Sequence, residues 1–344
     1  MQATTQSGPG SEEFALLADE FRPELLAHCY RMLGSVHDAE DQVQETLLRA
    51  WRGYQGFEGR SSLRTWLYRI ATNACLRAME NKERRPLPSG LGAPGDDPAG
   101  PIAPAAREVS WLEPFPDALL RPESADPGAV AAARSGLRLA LIAALQQLPA
   151  RQRTVLILRD VLGWRAAEVA ELLNVSVIAV NSALQRARAQ LKQAGAEPDE
   201  IREPAGQADR VVLDRYAAAI ENADVPALVE LLHEDATFEM PPMPMWFKGR
   251  DNIGLFLGTR VLTSPGVFTL RPAAANGQPA VAIYRRAEDG TRRAYGIQVL
   301  TLRESRVAGV VAFLDPGLFP VFGLPPELPT PEPPAPALPM ASGQ

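Results

Sequence analysis

Through residues 14–85 and 134–193 the apolar side chains recur three and four positions apart, the period of amphipathic helices. After Gly34, which suits a helix C-cap, Ser35 with Asp38 three residues on predicts a capped helix to about Arg52. Ala39, Val43, Leu47 and Ala50 form its buried stripe. A glycine-rich loop, Gly53–Ser62, leads into a helix to about Asn81, whose Leu63, Leu67, Ile70, Ala71 and Ala74 share one face. Helices over 136–148 and 150–161 follow, divided by Pro149. Arg165–Leu173, the turn Asn174-Val175-Ser176 and the longer helix Val177–Lys192 then have the arrangement of a helix-turn-helix.

From Asp209 the pattern becomes mixed. Helices are predicted over 210–222, 226–233 and 252–261, with a strand around Thr237–Met240. Alternating apolar positions then mark strands at 268–274, 280–286, 292–302 and 307–314. They are separated by Asn276-Gly277, Asp289-Gly290 and Glu304-Ser305-Arg306, residues that suit hairpin turns. Helices followed by a curling antiparallel meander make an α+β cone.

Proline divides these modules. Of the 32 prolines, ten fall between Pro86 and Pro127 and eight between Pro325 and Pro339. The first run predicts a flexible linker over 86–133, the second a tail without fold over 324–344. A break at 195–206 completes the partition into helical modules 14–85 and 134–193 and a mixed module 208–323. Nothing resembling a signal peptide or an apolar run of membrane-spanning length occurs. With two cysteines, Cys29 and Cys75, the sequence suggests neither a disulfide scaffold nor a metal site and fits a reducing cytoplasm.

The net charge of −6 excludes a uniformly basic coat but hides an uneven distribution. Module 134–193 carries nine basic residues against three acidic, a candidate for phosphate contact, whereas the linker is acidic. The exposed side of its second helix offers Asn181, Ser182, Gln185, Arg188 and Lys192, with Ile178 and Arg186 beside them and Arg165 opening the motif. That set suits base edges and phosphates in a major groove, although generic helical hairpins share the pattern. On the helix after Gly34, Asp38, Asp41 and Glu45 line an acidic face with Gln44, which suits a basic protein partner or plain solvation. On the next helix Thr65, Arg69, Asn73 and Arg77, with Trp66 at the border and Phe57, Arg60, Ser61 and Ser62 in the loop before it, combine cations, amides and rings. Such a set suits unstacked single-stranded bases.

Two long segments resemble the extracytoplasmic-function sigma factors of bacterial RNA polymerase. Asp38-Ala-Glu-Asp-Gln-Val-Gln-Glu-Thr-Leu47 and Phe57-Glu-Gly-Arg-Ser-Ser-Leu-Arg-Thr-Trp-Leu-Tyr-Arg-Ile-Ala-Thr-Asn73 resemble sigma region 2. Leu148-Pro-Ala-Arg-Gln-Arg-Thr-Val-Leu-Ile-Leu-Arg159 through Leu191 resembles region 4. The resemblance implies that Asp38, Asp41, Gln44 and Glu45 dock on the β′ clamp helices of core polymerase, and that region 4 sits by the β flap. It implies that the Phe57–Arg77 set captures the melted −10 promoter element while the helix-turn-helix reads −35 duplex. No catalytic residue, cofactor or metal is expected.

The mixed module resembles the NTF2-like, SnoaL-type fold, which includes enzymes and ligand-binding proteins. The order of modules, with Ser110-Trp-Leu-Glu-Pro114 in the linker and Asn276-Gly-Gln-Pro279 in the cone, most resembles an actinobacterial group within the sigma family. Acid–base work in the cone would need groups such as Asp214, Glu221, His233, Asp235 or Glu239. Met240, Trp246, Phe247, Phe256, Tyr284 and Tyr295 either line a ligand pocket or fill the core. Trp111, Leu112, Glu113 and Pro114 are expected to dock between modules, because two large apolar side chains in an acidic segment need a covering surface. A SnoaL-like enzyme or ligand sensor carrying DNA-binding helices is the alternative reading, and a dimeric helix-turn-helix repressor a third. A small ligand or an anti-sigma factor is compatible with the pattern, a membrane partner is not.

Overall fold

A computed structural model of the chain describes residues 9–80, 84–120, 136–193 and 207–329. The expectations for residues 121–133, 195–206 and 330–344, and for the chain start before residue 9, lie outside the described residues.

The first module is built from α1 (Pro9–Leu33), α2 (Val36–Gly53) and α3 (Leu63–Glu80). Ser35 caps α2 as its pattern predicts, its hydroxyl accepting Asp38 N–H at 3.0 Å. Gly34 ends α1 at φ +70°, and a Cβ there would lie 2.8 Å from the Gln146 side chain. Glycine is thus required both by the turn and by the close approach of the second helical module.

That second module comprises α4 (Leu139–Gln147), α5 (Ala150–Leu156), α6 (Ala166–Leu173) and α7 (Val177–Gln193). The helix expected over 150–161 is α only to Leu156 and then widens into one π turn through Val161. Asn174, at φ 51°, ends α6 in the left-handed region, and Ser176 Oγ accepts Ala179 N–H at 3.1 Å to start α7. The two helices meet at 102°, within the range of a helix-turn-helix. Leu137, Ile142, Leu145 and Ile157 share one continuous core with Leu25, Tyr30, Met32 and Val36 of the first module.

The third module contains α8 (Gln207–Glu221), α9 (Val225–Leu231), α10 (Arg250–Phe256) and strands β1 (Leu232–Glu239), β2 (Trp246–Lys248), β3 (Phe268–Ala275), β4 (Gln278–Arg286), β5 (Arg292–Arg303), β6 (Arg306–Phe313) and β7 (Glu327–Leu328). The sheet runs β2-β1-β6-β5-β4-β3, with β7 added to β5. It is not a pure antiparallel meander, because β1 joins β6 in parallel. The helices cover the inner face, where Tyr216, Phe238, Phe247, Phe256 and Leu270 pack. Alternation along the strands sends Ala280, Ala282, Tyr284, Val299 and Phe313 to the other face, onto Leu318 and Phe319 and toward the helical modules.

The segment 84–120 departs from the expectation of a flexible linker. It forms an extended strap with single 3-10 turns at Pro88–Gly90 and Asp117–Leu119, and Leu87, Pro88, Leu112, Pro114 and Phe115 are buried. Proline forbids helix propagation but not an extended path whose remaining N–H groups find acceptors on folded surfaces. Gly95 N–H reaches Trp246 O at 2.8 Å, Ala106 N–H reaches Pro242 O at 2.9 Å, and Glu113 N–H reaches Gly34 O at 3.0 Å. At the C-terminal side, 324–329 does not behave as a tail: β7 pairs with β5, and Ala294 N–H donates to Pro326 O at 2.8 Å. No single helix among the described residues is long and apolar enough to cross a membrane.

Candidate nucleic-acid interface

On α2, Asp41 and Gln44 are exposed and Glu45 holds Arg49 at 2.5 Å. Leu48 and Trp51, 42% and 52% exposed, continue the same face at helical spacing and are missed by reading the sequence for charge alone. Their signal is present in the pattern: two large apolar residues lie outside the buried stripe. Asp38 is half-buried and ion-paired with Arg85 at 2.6 Å, while Arg85 also donates to Trp111 O at 2.8 Å.

The loop before α3 brings Phe57 onto Trp66, ring centroids 4.9 Å apart, and both rings remain partly exposed. Ser62 Oγ accepts Thr65 N–H at 3.1 Å and lies 2.9 Å from its hydroxyl, so Ser62 and Thr65 start the helix. Ser61 and Arg60 lie in the loop, Arg60 ion-paired with Glu58 at 2.9 Å. Asn73 is half-buried and Arg77 exposed. Arg69 bonds the Glu171 carboxylate of α6 at 3.0 Å, which ties this face to the helix-turn-helix.

On α7, Ile178 is 78% exposed, Asn181, Gln185, Arg186 and Lys192 are exposed, and Ser182 is half-buried. Arg188 makes a two-pronged pair with Asp160 at 2.7 and 2.9 Å, and Arg165 pairs with Glu168 at 3.1 Å. Both contacts are exposed and therefore weak, each worth about 0–1 kcal/mol. The exposed face keeps amides, cations and one apolar side chain within one helical turn of each other, which suits a groove with mixed donors, acceptors and methyl groups.

The junction of the three modules is built around the strap. Glu113 Oε2 accepts from Ser35 Oγ at 2.8 Å and lies 3.0 Å from His37 Nδ1, and Glu113 O accepts from the Tyr30 hydroxyl at 2.7 Å. Leu112 is 1% exposed, whereas Trp111 is half-buried and donates its ring N–H to Ala106 O at 3.0 Å. Pro114 is buried. Opposite lies the hairpin turn Asn276-Gly277, φ 58° and 66°, the geometry of a type I′ turn. Asn276 is fully buried; its Oδ1 accepts Phe115 N–H at 2.8 Å and its Nδ2 donates to Leu137 O at 2.7 Å and to the Tyr30 hydroxyl at 2.9 Å. Gln278 Oε1 accepts Leu139 N–H at 2.9 Å.

The carboxylates and histidine considered for acid–base work are scattered. His233 lies on β1 rather than at a helix end and, with Asp235 and Arg303, forms an exposed cluster; the Asp235 carboxyl is held below the usual range by the hydrogen bond from His233 and the charge of Arg303. Glu221 accepts Leu270 N–H at 2.8 Å. Glu239 is buried and its carboxyl is pushed up by burial, yet the strap covers it, Ser89 N–H reaching Oε2 at 2.8 Å. Asp214 is exposed in a groove of about 490 Å³ between α8 and strands β3 and β4. Of the aromatic and apolar set, Met240, Phe247 and Phe256 are core, Tyr295 packs on Phe268 and Trp246 bonds Gly92 O. Tyr284 belongs to the opposite face of the sheet, where it meets Phe319.

The family model for sigma-70 region 2 matches residues 17–85, that for sigma-70 region 4 residues 138–191, and that for the SnoaL-like domain residues 213–310. The chain is 51% identical over 318 residues to the ECF RNA polymerase sigma factor SigG of Mycobacterium tuberculosis, covering 92% of this chain and 85% of that protein. It is 29% identical over 313 residues to SigJ of the same organism, covering 88% and 91%. The crystal structure of SigJ matches this fold with a TM-score of 0.56 and 24% identity, over 90% of this chain and 99% of that one.

Proposed function

The chain belongs to the ECF sigma factors of RNA polymerase, with regions 2 and 4 followed by a SnoaL-like domain, and from that premise we propose that its SnoaL-like domain restrains promoter recognition by holding the two regions together. Core polymerase and promoter DNA are its partners, as for the family. In this reading Asp38, Asp41, Gln44 and Glu45 meet the β′ clamp helices, joined by Leu48 and Trp51, and region 4 meets the β flap. Phe57, Arg60, Ser61, Ser62, Thr65, Trp66, Arg69, Asn73 and Arg77 receive the melted −10 strand. Arg165, Ile178, Asn181, Ser182, Gln185, Arg186, Arg188 and Lys192 meet the −35 duplex.

The observation that carries the restraint is the buried Asn276 side chain, bonded at once to Tyr30 of region 2, Phe115 of the strap and Leu137 of region 4. Two groups needed for transcription are paired within the chain at the same time, Asp38 with Arg85 and Arg69 with Glu171. Opening costs about 1–3 kcal/mol per buried polar group left unpaired, which polymerase binding must supply. The domain acts here as a regulatory element and not as an enzyme, since the acid–base candidates lie on separate surfaces and Glu239 lies beneath the strap.

Both native cysteines are fully buried, so dyes attached at Arg52→Cys and Gln190→Cys report the distance between regions 2 and 4. Energy transfer between them falls when core polymerase is added to the full chain. Unchanged transfer on a polymerase-bound chain contradicts the restraint.

A further inference from the structure

We infer that the seam between region 2, the strap and region 4 is a binding site for a small phosphate-bearing anion, inorganic phosphate or a diphosphate group. A cavity of about 190 Å³ lies there, lined among others by Asp38, Arg84, Arg85, Gln146 and Arg153. Three guanidinium groups face one carboxylate, and that carboxylate, Asp38, is bonded to Arg85. Arg84 is exposed and makes no hydrogen bond or ion pair among the described residues. Arg153, 5% exposed, spends its terminal nitrogens on carbonyl oxygens of Met32, Gln146 and Leu148 and on Gln146 Oε1, none of which neutralises its charge.

Two polar atoms at the cavity have no partner. Arg153 Nε and Gln146 Nε2 are buried donors without an acceptor, in residues 5% and 2% exposed. Native interiors seldom leave such donors unpaired. Burial, with the charge of Arg84 beside it, lowers the Arg153 guanidinium to about 10, the mark of a cation lacking a counter-charge. A tetrahedral oxyanion supplies both missing features, accepting hydrogen bonds at several angles and compensating charge among arginines. The volume admits a phosphate or diphosphate and leaves no room for a nucleoside beside it. Because Gln146 and Arg153 belong to region 4, Arg84 and Arg85 to the strap, and Asp38 to region 2, a bound anion bridges all three. It would therefore add to the restraint of the proposed function, although the binding itself stands apart from that reading.

Calorimetric titration of the full chain with inorganic phosphate and with pyrophosphate, against sodium chloride at matched ionic strength, needs neither polymerase nor promoter. Saturable binding at one site per chain is expected, at least fivefold weaker in Arg84→Gln, whose side chain is exposed and supports no other contact. Gln146→Glu keeps the acceptor for Arg153 while replacing the unpaired donor with a negative charge, and is expected to abolish binding in a folded chain. A response no larger than that to chloride, or equal affinity in both variants, overturns the site. Tighter binding of pyrophosphate than of phosphate identifies the diphosphate group as the preferred occupant, and the reverse identifies phosphate.

Discussion

Asn276 and Tyr30, 246 positions apart, share a hydrogen bond of 2.9 Å in which neither side chain has exposed surface. The tyrosine hydroxyl passes its own proton on to Glu113 O, so one contact joins the SnoaL-like domain, region 2 and the strap. Burial holds the Tyr30 phenol well above its ordinary range, and it stays neutral at any physiological pH. Tyr30→Phe leaves Glu113 O without that donor and removes one of the two acceptors of Asn276 Nδ2. A loss of about 1–3 kcal/mol is expected in denaturant unfolding for Tyr30→Phe and for Asn276→Ala. The double variant should lose less than the sum, and strict additivity would show that the two side chains are not coupled.

The strap is anchored by Leu112 more than by Trp111. Leu112→Ala opens a cavity in the shared core and is expected to cost about 2–5 kcal/mol, whereas Trp111 is half-buried and holds only a neighbouring carbonyl. Trypsin cleavage at the exposed Arg107 reports release of the strap. It should accelerate strongly in Leu112→Ala and modestly in Trp111→Ala; the opposite order would contradict the packing.

Glu171 and Arg69 form an exposed pair worth at most about 1 kcal/mol, so breaking it hardly alters stability. The two substitutions separate at the promoter. Arg69→Ala is expected to reduce opening of the −10 element, read by a fluorescent base in the melted strand, whereas Glu171→Ala leaves opening intact or raises it. Equal loss in both variants would mean that the pair is only structural.

Gln185 stands exposed at the middle of α7 and has no partner within the chain. Gln185→Ala is expected to cost about 1–3 kcal/mol of discrimination at one −35 base pair, roughly 5- to 150-fold. Footprinting of the polymerase complex on single-base promoter variants measures this. Uniform weakening across all bases would instead mark a phosphate contact.

His28 is fully buried between α1 and α3, its ring 3.0 Å from the Thr72 hydroxyl, and burial followed by the charge of Arg31 lowers its pKa to about 3. The unfolded chain takes up the proton near pH 6.5 and the folded chain does not, so stability present above that pH is lost as pH falls toward 3. At pH 4.5 the loss from this group is roughly 2–3 kcal/mol. His28→Gln, which keeps a partner for Thr72, should flatten that part of the pH profile. An unchanged slope would assign the acid sensitivity to other groups.

Much of this architecture is legible in local pattern. Ser35 with Asp38, the left-handed Asn174 between two amphipathic stretches, and Asn276-Gly277 between alternating strands each specify their element from nearby residues. What local pattern cannot carry is pairing at a distance. The parallel join of β1 to β6 depends on a connection spanning most of the domain, and β2 is too short to leave a periodic signal. The strap escapes a local reading because its many prolines report what the backbone is unable to form, while its order comes from surfaces supplied elsewhere. For the same reason the candidate surfaces are visible on helical wheels, but the pairing of Asp38 with Arg85 and of Arg69 with Glu171 is not.

Run-off transcription with purified core polymerase, comparing the full chain with Asn276→Ala at equal concentration, tests the restraint most directly. Transcripts that depend on the added chain, in higher yield from Asn276→Ala while both proteins remain folded, are the expected result. Equal or lower yield from the folded variant, with core binding unchanged, would contradict it.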